Sequence, residues 1–347
     1  MKVALDATPL TLSSGGILRY TWELSRALAE QFPADDFYLV SDQPFQMRAS
    51  GPRNWMERRW WLYGVQREIS RLGAALFHGT NFAVPWLPLR PSVMTVHDLS
   101  PWLDPAWHQG ARQVRRRTPY MAGLGLATMV ITPSEAVRRQ VIARFRLHPG
   151  RVQAVPHAAA AVFRPVAGSP RMAPYFLYAG TLEPRKNLDM LLGVWREVHS
   201  RYGVELVLAG RTRSDFRAPA PEPGLHVLGE VPDEDLAALY TGAVACLYPS
   251  LYEGFGFPVL EAMQCGATVI ASRDPAVREL AGEAAILLDA HAPADWWEAM
   301  TAAATEAESR AGWRARALAR AKLFSWECAA RLTHEVYLEA LARFGEG

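Results

Sequence analysis

Ala245-Cys246-Leu247-Tyr248-Pro249-Ser250-Leu251-Tyr252-Glu253-Gly254-Phe255-Gly256-Phe257-Pro258-Val259-Leu260-Glu261-Ala262 changes character twice within eighteen residues. Ala245–Tyr248 is an apolar run of strand length with no polar interruption, as a strand buried on both faces requires. A loop with two glycines follows, and Pro258 then sits where the first turn of a helix accepts proline. Strand, glycine loop and helix in this order are the repeating unit of a parallel sheet covered by helices. Gly254 and Gly256 can take positive φ and expose backbone N–H groups. Glu253 lies in the loop and Glu261 one turn into the helix, eight positions later. Two carboxylates beside one helix N-terminus can grip the hydroxyls of a ligand whose phosphates meet that N-terminus. The competing structural reading is a buried capping acid plus a solvated one.

The same alternation extends outward in both directions. Strands are expected at Val3–Asp6, Phe37–Ser41, Ala75–His78, Ser92–His97, Thr128–Thr132 and Val152–Val155. A second set is expected at Phe176–Ala179, Glu205–Ala209, His226–Leu228, Ala245–Tyr248, Thr268–Ala271 and Ala285–Leu288. Helical spacing fills the intervals, as in Ile17, Tyr20, Leu24, Ala27 and Leu28. The twelve strands divide six and six around Arg164–Pro174, an aperiodic stretch with three prolines. The expected fold class is therefore α/β, with two Rossmann-like doubly wound parallel-sheet domains facing across a cleft. Their limits are placed at 1–168 and 169–325, and a C-terminal helix over 326–347 is expected to pack back on the first. Ligands of such sheets bind at the carboxyl ends of the strands.

The 347 residues suit two domains, and 50% hydrophobic against 21% charged residues excludes global disorder. Cys246, Cys265 and Cys328 are too few and too scattered for a disulfide framework or a zinc site. The N-terminal Met-Lys-Val-Ala-Leu-Asp reaches polar residues too soon for a signal peptide, and the longest apolar stretch, Pro119–Ile131, is too short to span a bilayer. A cytoplasmic protein in a reducing compartment is expected. The net charge of +2 gives no hint of nucleic acid, but it hides a division: residues 1–172 carry 21 basic and 11 acidic residues, whereas residues 173–347 carry 16 and 24. A basic half can meet an anionic surface.

Four further motifs matter. Ser13-Ser14-Gly15-Gly16-Ile17 follows the first strand and opens a helix, so free N–H groups there favour an anion. Val96-His97-Asp98-Leu99-Ser100 lies at a strand end, where His97 can reach a sugar hydroxyl or serve structure alone. Gly180-Thr181-Leu182-Glu183-Pro184-Arg185-Lys186-Asn187 sets two adjacent cations at an expected helix start, which the helix dipole disfavours by ~0.3–1 kcal/mol each. A bridging anion such as a diphosphate would compensate. Asp233-Glu234-Asp235 has the spacing of a metal-binding D-x-D, yet after Pro232 it reads as first-turn capping, so no metal site is assigned.

These stretches, with Thr132–Ala136 (TPSEA), Leu206–Gly210 (LVLAG) and Leu228–Tyr240 (LGEVPDEDLAALY), resemble the retaining glycosyltransferases of family 4 over nearly the whole chain. The VHDLS and GTLEPRKN variants are most similar to the bacterial branch rich in mannosyltransferases for polysaccharide and lipopolysaccharide assembly. The resemblance implies the GT-B fold, with donor mainly on the second domain, acceptor on the first, and no metal or other cofactor. It implies that Gly15, Gly16, Arg185 and Lys186 hold the donor diphosphate and that Glu261 holds the ribose. It further implies that Glu253 and the Gly254, Phe255, Gly256 and Phe257 backbone hold the transferred sugar, with His97 reaching it from the first domain. Gly210, Arg211, Gly229 and Val231 would surround the base. Guanosine diphosphate mannose is the favoured donor, and a saccharide or lipid-linked saccharide the acceptor. Where many relatives carry Pro-Asn-Gly, this chain has Pro156-His157-Ala158, so no ligand role is assigned to that turn.

An isomerase on the same scaffold, such as a nucleotide-sugar epimerase, would convert donor alone, whereas transfer requires acceptor. A silent nucleotide-sugar binder would do neither. Trp55, Arg58, Arg59, Trp60, Trp61, Tyr63 and Arg67, together with Arg112, Arg115, Arg116 and Arg117, form basic-aromatic segments. Such segments suit the inner face of a membrane as well as a solvated acceptor-side face.

Overall fold

The computed structural model describes residues 1–12, 15–43, 59–107, 111–167 and 173–345. Ser13, Ser14, Trp55, Arg58 and part of the proline-rich stretch lie outside the described residues. The chain forms two compact units, one of residues 1–157 with 325–347 and one of residues 158–324.

In the first unit β1 (Lys2–Asp6), β2 (Asp36–Val40), β3 (Leu76–Gly79), β4 (Ser92–Thr95), β5 (Met129–Thr132) and β6 (Val152–Ala154) form a sheet in the order β2-β1-β3-β4-β5-β6. All pairs are parallel. Every residue of β3, β4 and β5 is buried, as expected of strands covered on both faces. The crossings carry α1 (Gly16–Gln31), α2 (Val65–Leu72), α3 (Ser100–Leu103), α4 (Arg112–Gly123) and α5 (Glu135–Phe145). Helix α2 stops at Gly73 in the left-handed region, and α5 starts where the Ser134 hydroxyl accepts from the Val137 N–H at 3.2 Å. The strand order is that of flavodoxin-like sheets, and it reverses between β1 and β3.

In the second unit β7 (Tyr175–Ala179), β8 (Glu205–Ala209), β9 (Leu225–Gly229), β10 (Ala245–Tyr248), β11 (Val269–Ser272) and β12 (Ile286–Leu288) are ordered β12-β11-β10-β7-β8-β9. This is the dinucleotide-fold order, reversing between β7 and β10. Its helices are α6 (Leu188–Tyr202), α7 (Asp233–Gly242), α8 (Phe257–Gln264), α9 (Pro275–Ala281), α10 (Pro293–Thr305) and α11 (Ala307–Ala321). The period of two shows in the core. Leu177, Val207, Cys246 and Val269 pack on one face of the sheet with α8, and Phe176, Leu206, Leu247 and Ile270 pack on the other with Trp195 and Trp296.

All twelve expected strands occur, with ends displaced by a residue or two. The unit boundary falls earlier than the prolines suggest. Ala159, Ala160 and Phe163 are buried in the second unit's core, and Gln264 Nε2 donates to the Ala160 carbonyl at 3.0 Å, so Ala158–Phe163 belong to that unit rather than the first. Helix α12 (Trp326–Gly345) packs on α1 within the first unit. The His334 ring stacks on Phe32 at 3.7 Å and its Nε2 lies 2.8 Å from Asp35 Oδ2. No helix among the described residues is long and apolar enough to cross a membrane.

Candidate functional site

The reversal between β7 and β10 opens the second unit's sheet at its carboxyl edge. The loops leaving these two strands carry Glu183–Lys186 and Pro249–Gly256, and they are bound together. The Leu251 N–H donates to the Arg185 carbonyl at 2.9 Å, and Arg185 Nη1 donates to the Tyr252 carbonyl at 2.6 Å. Two charges then converge on one carboxylate. Lys186 Nζ lies 2.5 Å from Glu253 Oε1 and Arg185 Nη1 3.0 Å from Glu253 Oε2. Lys186 is 5% exposed and Glu253 7% exposed. Lys186 also donates to the Tyr248 hydroxyl at 3.0 Å and rests over that ring. Arg185 Nη2 reaches Glu183 Oε1 at 2.8 Å.

Burial alone would raise the Glu253 carboxyl, but Arg185 and then Lys186 outweigh it and hold it at about 2. Burial and the neighbouring Arg185 guanidinium lower Lys186, while Glu253 and Glu183 pull it back. The cations precede α6 in a 3₁₀ turn, Pro184–Lys186, with Asn187 left-handed behind them, instead of opening the helix. The compensation that the sequence suggests from a bound anion is present within the chain, in Glu253 and Glu183. A phosphate entering here meets cations already held in place by carboxylates and must compete with them.

The backbone of the glycine loop is set from outside it. Asp274, ahead of α9, accepts from the Glu253 N–H at 3.2 Å through Oδ2 and from the Ala276 N–H at 2.9 Å through Oδ1. Burial and the Glu253 charge raise its carboxyl to about 6 against these backbone donors. Gly256 takes φ 100° as the residue capping α8. Gly254 is not among the positive-φ residues, so only one of the two glycines serves the turn through its φ. Phe255 packs inward against Phe257 and Phe324, which leaves its backbone as the part that can meet a ligand. Glu261 is buried on α8, and its Oε2 accepts from the Tyr240 hydroxyl at 3.2 Å. Gly210 has a packing reason of its own. At φ +139°, a Cβ there would lie 2.1 Å from the Gly180 carbonyl oxygen. Arg211 is exposed beyond β8, and Gly229 ends β9 at φ +70° with open space above it and Val231 two residues on.

The first-unit candidates form a separate set. Gly15 (φ 117°) caps α1 and Gly16 begins it, both exposed. His97 follows β4. Its Nε2 lies 2.8 Å from the Thr80 carbonyl, which only accepts, so Nε2 holds the proton and Nδ1 keeps a lone pair. Burial lowers its pKa, and at neutral pH the ring is an uncharged acceptor. Tyr20 packs edge-on against it at 4.9 Å. Beneath them Tyr20 and His78 Nε2 each meet Thr95 Oγ1 at 2.8 Å, and His78 Nδ1 meets the Tyr337 hydroxyl of α12 at 2.7 Å. Sequence reasoning assigned no role to Glu183, Tyr248, Asp274 or His78. Asp274-Pro275 carries a helix-start signal, but its bond to Glu253 N spans 21 residues and has no local signature.

A family model described as "Glycosyl transferases group 1" matches residues 173–306, and one described as "Glycosyltransferase Family 4" matches residues 14–159. The chain is 33% identical over 285 residues to O-antigen chain mannosyltransferase B of Escherichia coli, covering 76% of this chain and 74% of that protein. Sucrose-phosphate synthase from Thermosynechococcus elongatus superposes with TM-score 0.78 at 20% identity, over 98% of this chain and 99% of its own. Anabaena HepE, solved with UDP-glucose, gives 0.73 at 15% identity over 98% of this chain and 100% of its own. Paired Rossmann-like units and these similarities lead to one assignment: the chain belongs to glycosyltransferase family 4 and has the GT-B fold.

Proposed function

We propose that the chain moves a hexose, mannose in preference, from a nucleoside diphosphate sugar to a saccharide or lipid-linked saccharide in cell-surface polysaccharide assembly, with retention and without metal. The observation that carries this reading is the Arg185–Lys186–Glu253 cluster at the β7/β10 reversal, where a doubly wound sheet takes its nucleotide ligand. The E. coli mannosyltransferase relative favours mannose, hence GDP-mannose, and O-antigen-type acceptors. The UDP-glucose complex of HepE supports a nucleoside diphosphate donor.

In this reading Arg185 and Lys186 hold the diphosphate, with Gly15 and Gly16 offering backbone N–H groups from the start of α1. Glu261 takes the ribose hydroxyls, and Gly210, Arg211, Gly229 and Val231 surround the base. Glu253, the Gly254–Phe257 backbone and His97 take sugar hydroxyls. The bond from the anomeric carbon to the diphosphate oxygen breaks, and its electron pair leaves on the diphosphate. The acceptor hydroxyl oxygen bonds to the same face of that carbon, and its proton passes to the leaving phosphate. Stabilising the growing phosphate charge is worth ~3–4 kcal/mol per well-placed donor.

The test is a panel of nucleotide sugars with a mannoside acceptor, read by nucleoside diphosphate release and by proton NMR of the product. GDP-mannose turnover yielding an α-linked product supports the reading. A β-linked product refutes retention, and donor converted without acceptor points to an isomerase. A basic first unit at the inner face of the cytoplasmic membrane is the matching localisation, to be checked by co-sedimentation with anionic liposomes.

A further inference from the structure

Each carboxylate that holds Arg185 has a second cation in reach. Glu253 is shared with Lys186, at 3.0 Å from Arg185 and 2.5 Å from Lys186. Glu183 is shared with Arg213. Its Oε1 lies 2.8 Å from Arg185 Nη2 and its Oε2 3.5 Å from Arg213 Nη1. Glu183 stands just before the 3₁₀ turn of the two cations, yet its side chain does not cap that turn. It is 8% exposed, and it pairs instead with guanidinium groups from two different loops.

The backbone fixes where Arg213 stands. The loop after β8 is laced to the loop after β7, because the Leu182 N–H donates to the Arg211 carbonyl at 2.9 Å and the Arg213 N–H to the Leu182 carbonyl at 3.1 Å. Arg213 therefore stays beside Glu183 whatever the rest of the site holds. Asp215 steadies its guanidinium, accepting from Arg213 Nη2 at 3.0 Å through Oδ2. At 3.5 Å the contact between Arg213 and Glu183 is the longest of the four that tie these two carboxylates to cations, with room to tighten.

A diphosphate entering this cluster sets a problem. Arg185 can turn its guanidinium to phosphate oxygens only by loosening its hold on a carboxylate, and a buried carboxylate left without its cation is strongly unfavourable. Lys186 already covers Glu253. Arg213 can cover Glu183 by closing the 3.5 Å gap. Neither carboxylate is then stranded, and the Arg185 fork is released for bidentate contact with phosphate.

We propose that Glu183 and Arg213 are positioning residues for the donor diphosphate: Arg213 takes over Glu183 when Arg185 turns to the phosphate oxygens. This rests on the nucleoside diphosphate reading above. Arg213 acts through Glu183 and touches no part of the donor. Its effect on affinity therefore requires both the Glu183 charge and a phosphate on the ligand.

The experiment is a double-mutant cycle on the full chain. GDP and UDP are titrated calorimetrically into wild type, Arg213→Gln, Glu183→Gln and the double variant, and the tighter of the two nucleotides is carried through. Arg213→Gln should weaken binding tenfold or more, and Glu183→Gln should tighten it threefold or more. In the Glu183→Gln background, Arg213→Gln should change affinity less than twofold. Arg213→Lys keeps the charge and should stay within threefold of wild type. The matching nucleoside, guanosine or uridine, should bind all variants alike by saturation-transfer NMR. A loss on Arg213→Gln that persists in the Glu183→Gln background, or that appears equally with the nucleoside, puts Arg213 on the nucleotide itself. That result overturns the proposal and leaves the transfer reading intact, as does an Arg213→Gln affinity within twofold of wild type. Glu183→Gln, close in shape to the native side chain, is a separate check: affinity at or below wild type overturns the proposal on its own. A wild type that binds neither nucleotide overturns the diphosphate reading and this proposal with it.

Discussion

Replacing Glu253 by glutamine keeps the shape of the side chain and removes the one charge on which both Arg185 and Lys186 converge. The carboxyl is held at about 2 from an ordinary 4.5. At about 1.4 kcal/mol per pKa unit, the folded state favours the ionised form by roughly 3 kcal/mol. Glu253→Gln should therefore lower the stability of the ligand-free second unit by about 3 kcal/mol at pH 7. The depressed pKa fixes the sign of the pH dependence. The contribution is fully present above the unfolded value near 4.5 and is lost as pH falls towards 2. The gap between wild type and variant should thus shrink as pH falls below about 4.5 towards 2. Urea unfolding followed by tryptophan fluorescence measures it, since Trp195 and Trp296 sit in the core of this unit. The same substitution removes the carboxylate that competes with phosphate, so calorimetric GDP affinity should rise. A stability difference below about 0.5 kcal/mol at pH 7 would show that the cations do not depend on Glu253. A fall in GDP affinity would show that they do not await phosphate.

Three further outcomes follow from the packing. Gly210→Ala sets a methyl 2.1 Å from the Gly180 oxygen at a φ of +139°, and should cost about 4 kcal/mol from overlap and strain, visible as a lowered melting temperature for the second unit. Tyr337→Phe leaves one nitrogen of the buried His78 without its 2.7 Å partner, and should cost about 1–2 kcal/mol in the first unit by urea unfolding. Asp274 is raised to about 6, so its charged form is disfavoured and the stability it contributes falls as pH rises from about 4 to about 6. The excess of wild-type over Asp274→Asn stability should be larger at pH 4.5 than at pH 7.5, by about 2 kcal/mol.

Nearly all of the fold was legible because each strand is a short apolar run and each turn after it carries glycine, proline or an acid. The unit boundary was less so. Ala158–Phe163 join the second core as irregular chain, and such chain has no period for a sequence reading to detect. In the site, Arg185 and Lys186 stood out because they adjoin each other, and Glu253 because a glycine loop surrounds it. Their mutual pairing spans 67 residues and had no local sign, which is why an external anion was invoked for a charge that Glu253 already meets.

The most direct measurement is the rate of GDP release from GDP-mannose with and without a mannoside acceptor, by wild type, Arg185→Ala and Lys186→Ala. Release that depends on acceptor and falls a hundredfold or more in both variants, with GDP-mannose saturating, is the expected result. Near-normal release in both variants, or consumption of donor regardless of acceptor, would contradict a transfer site built on these two cations.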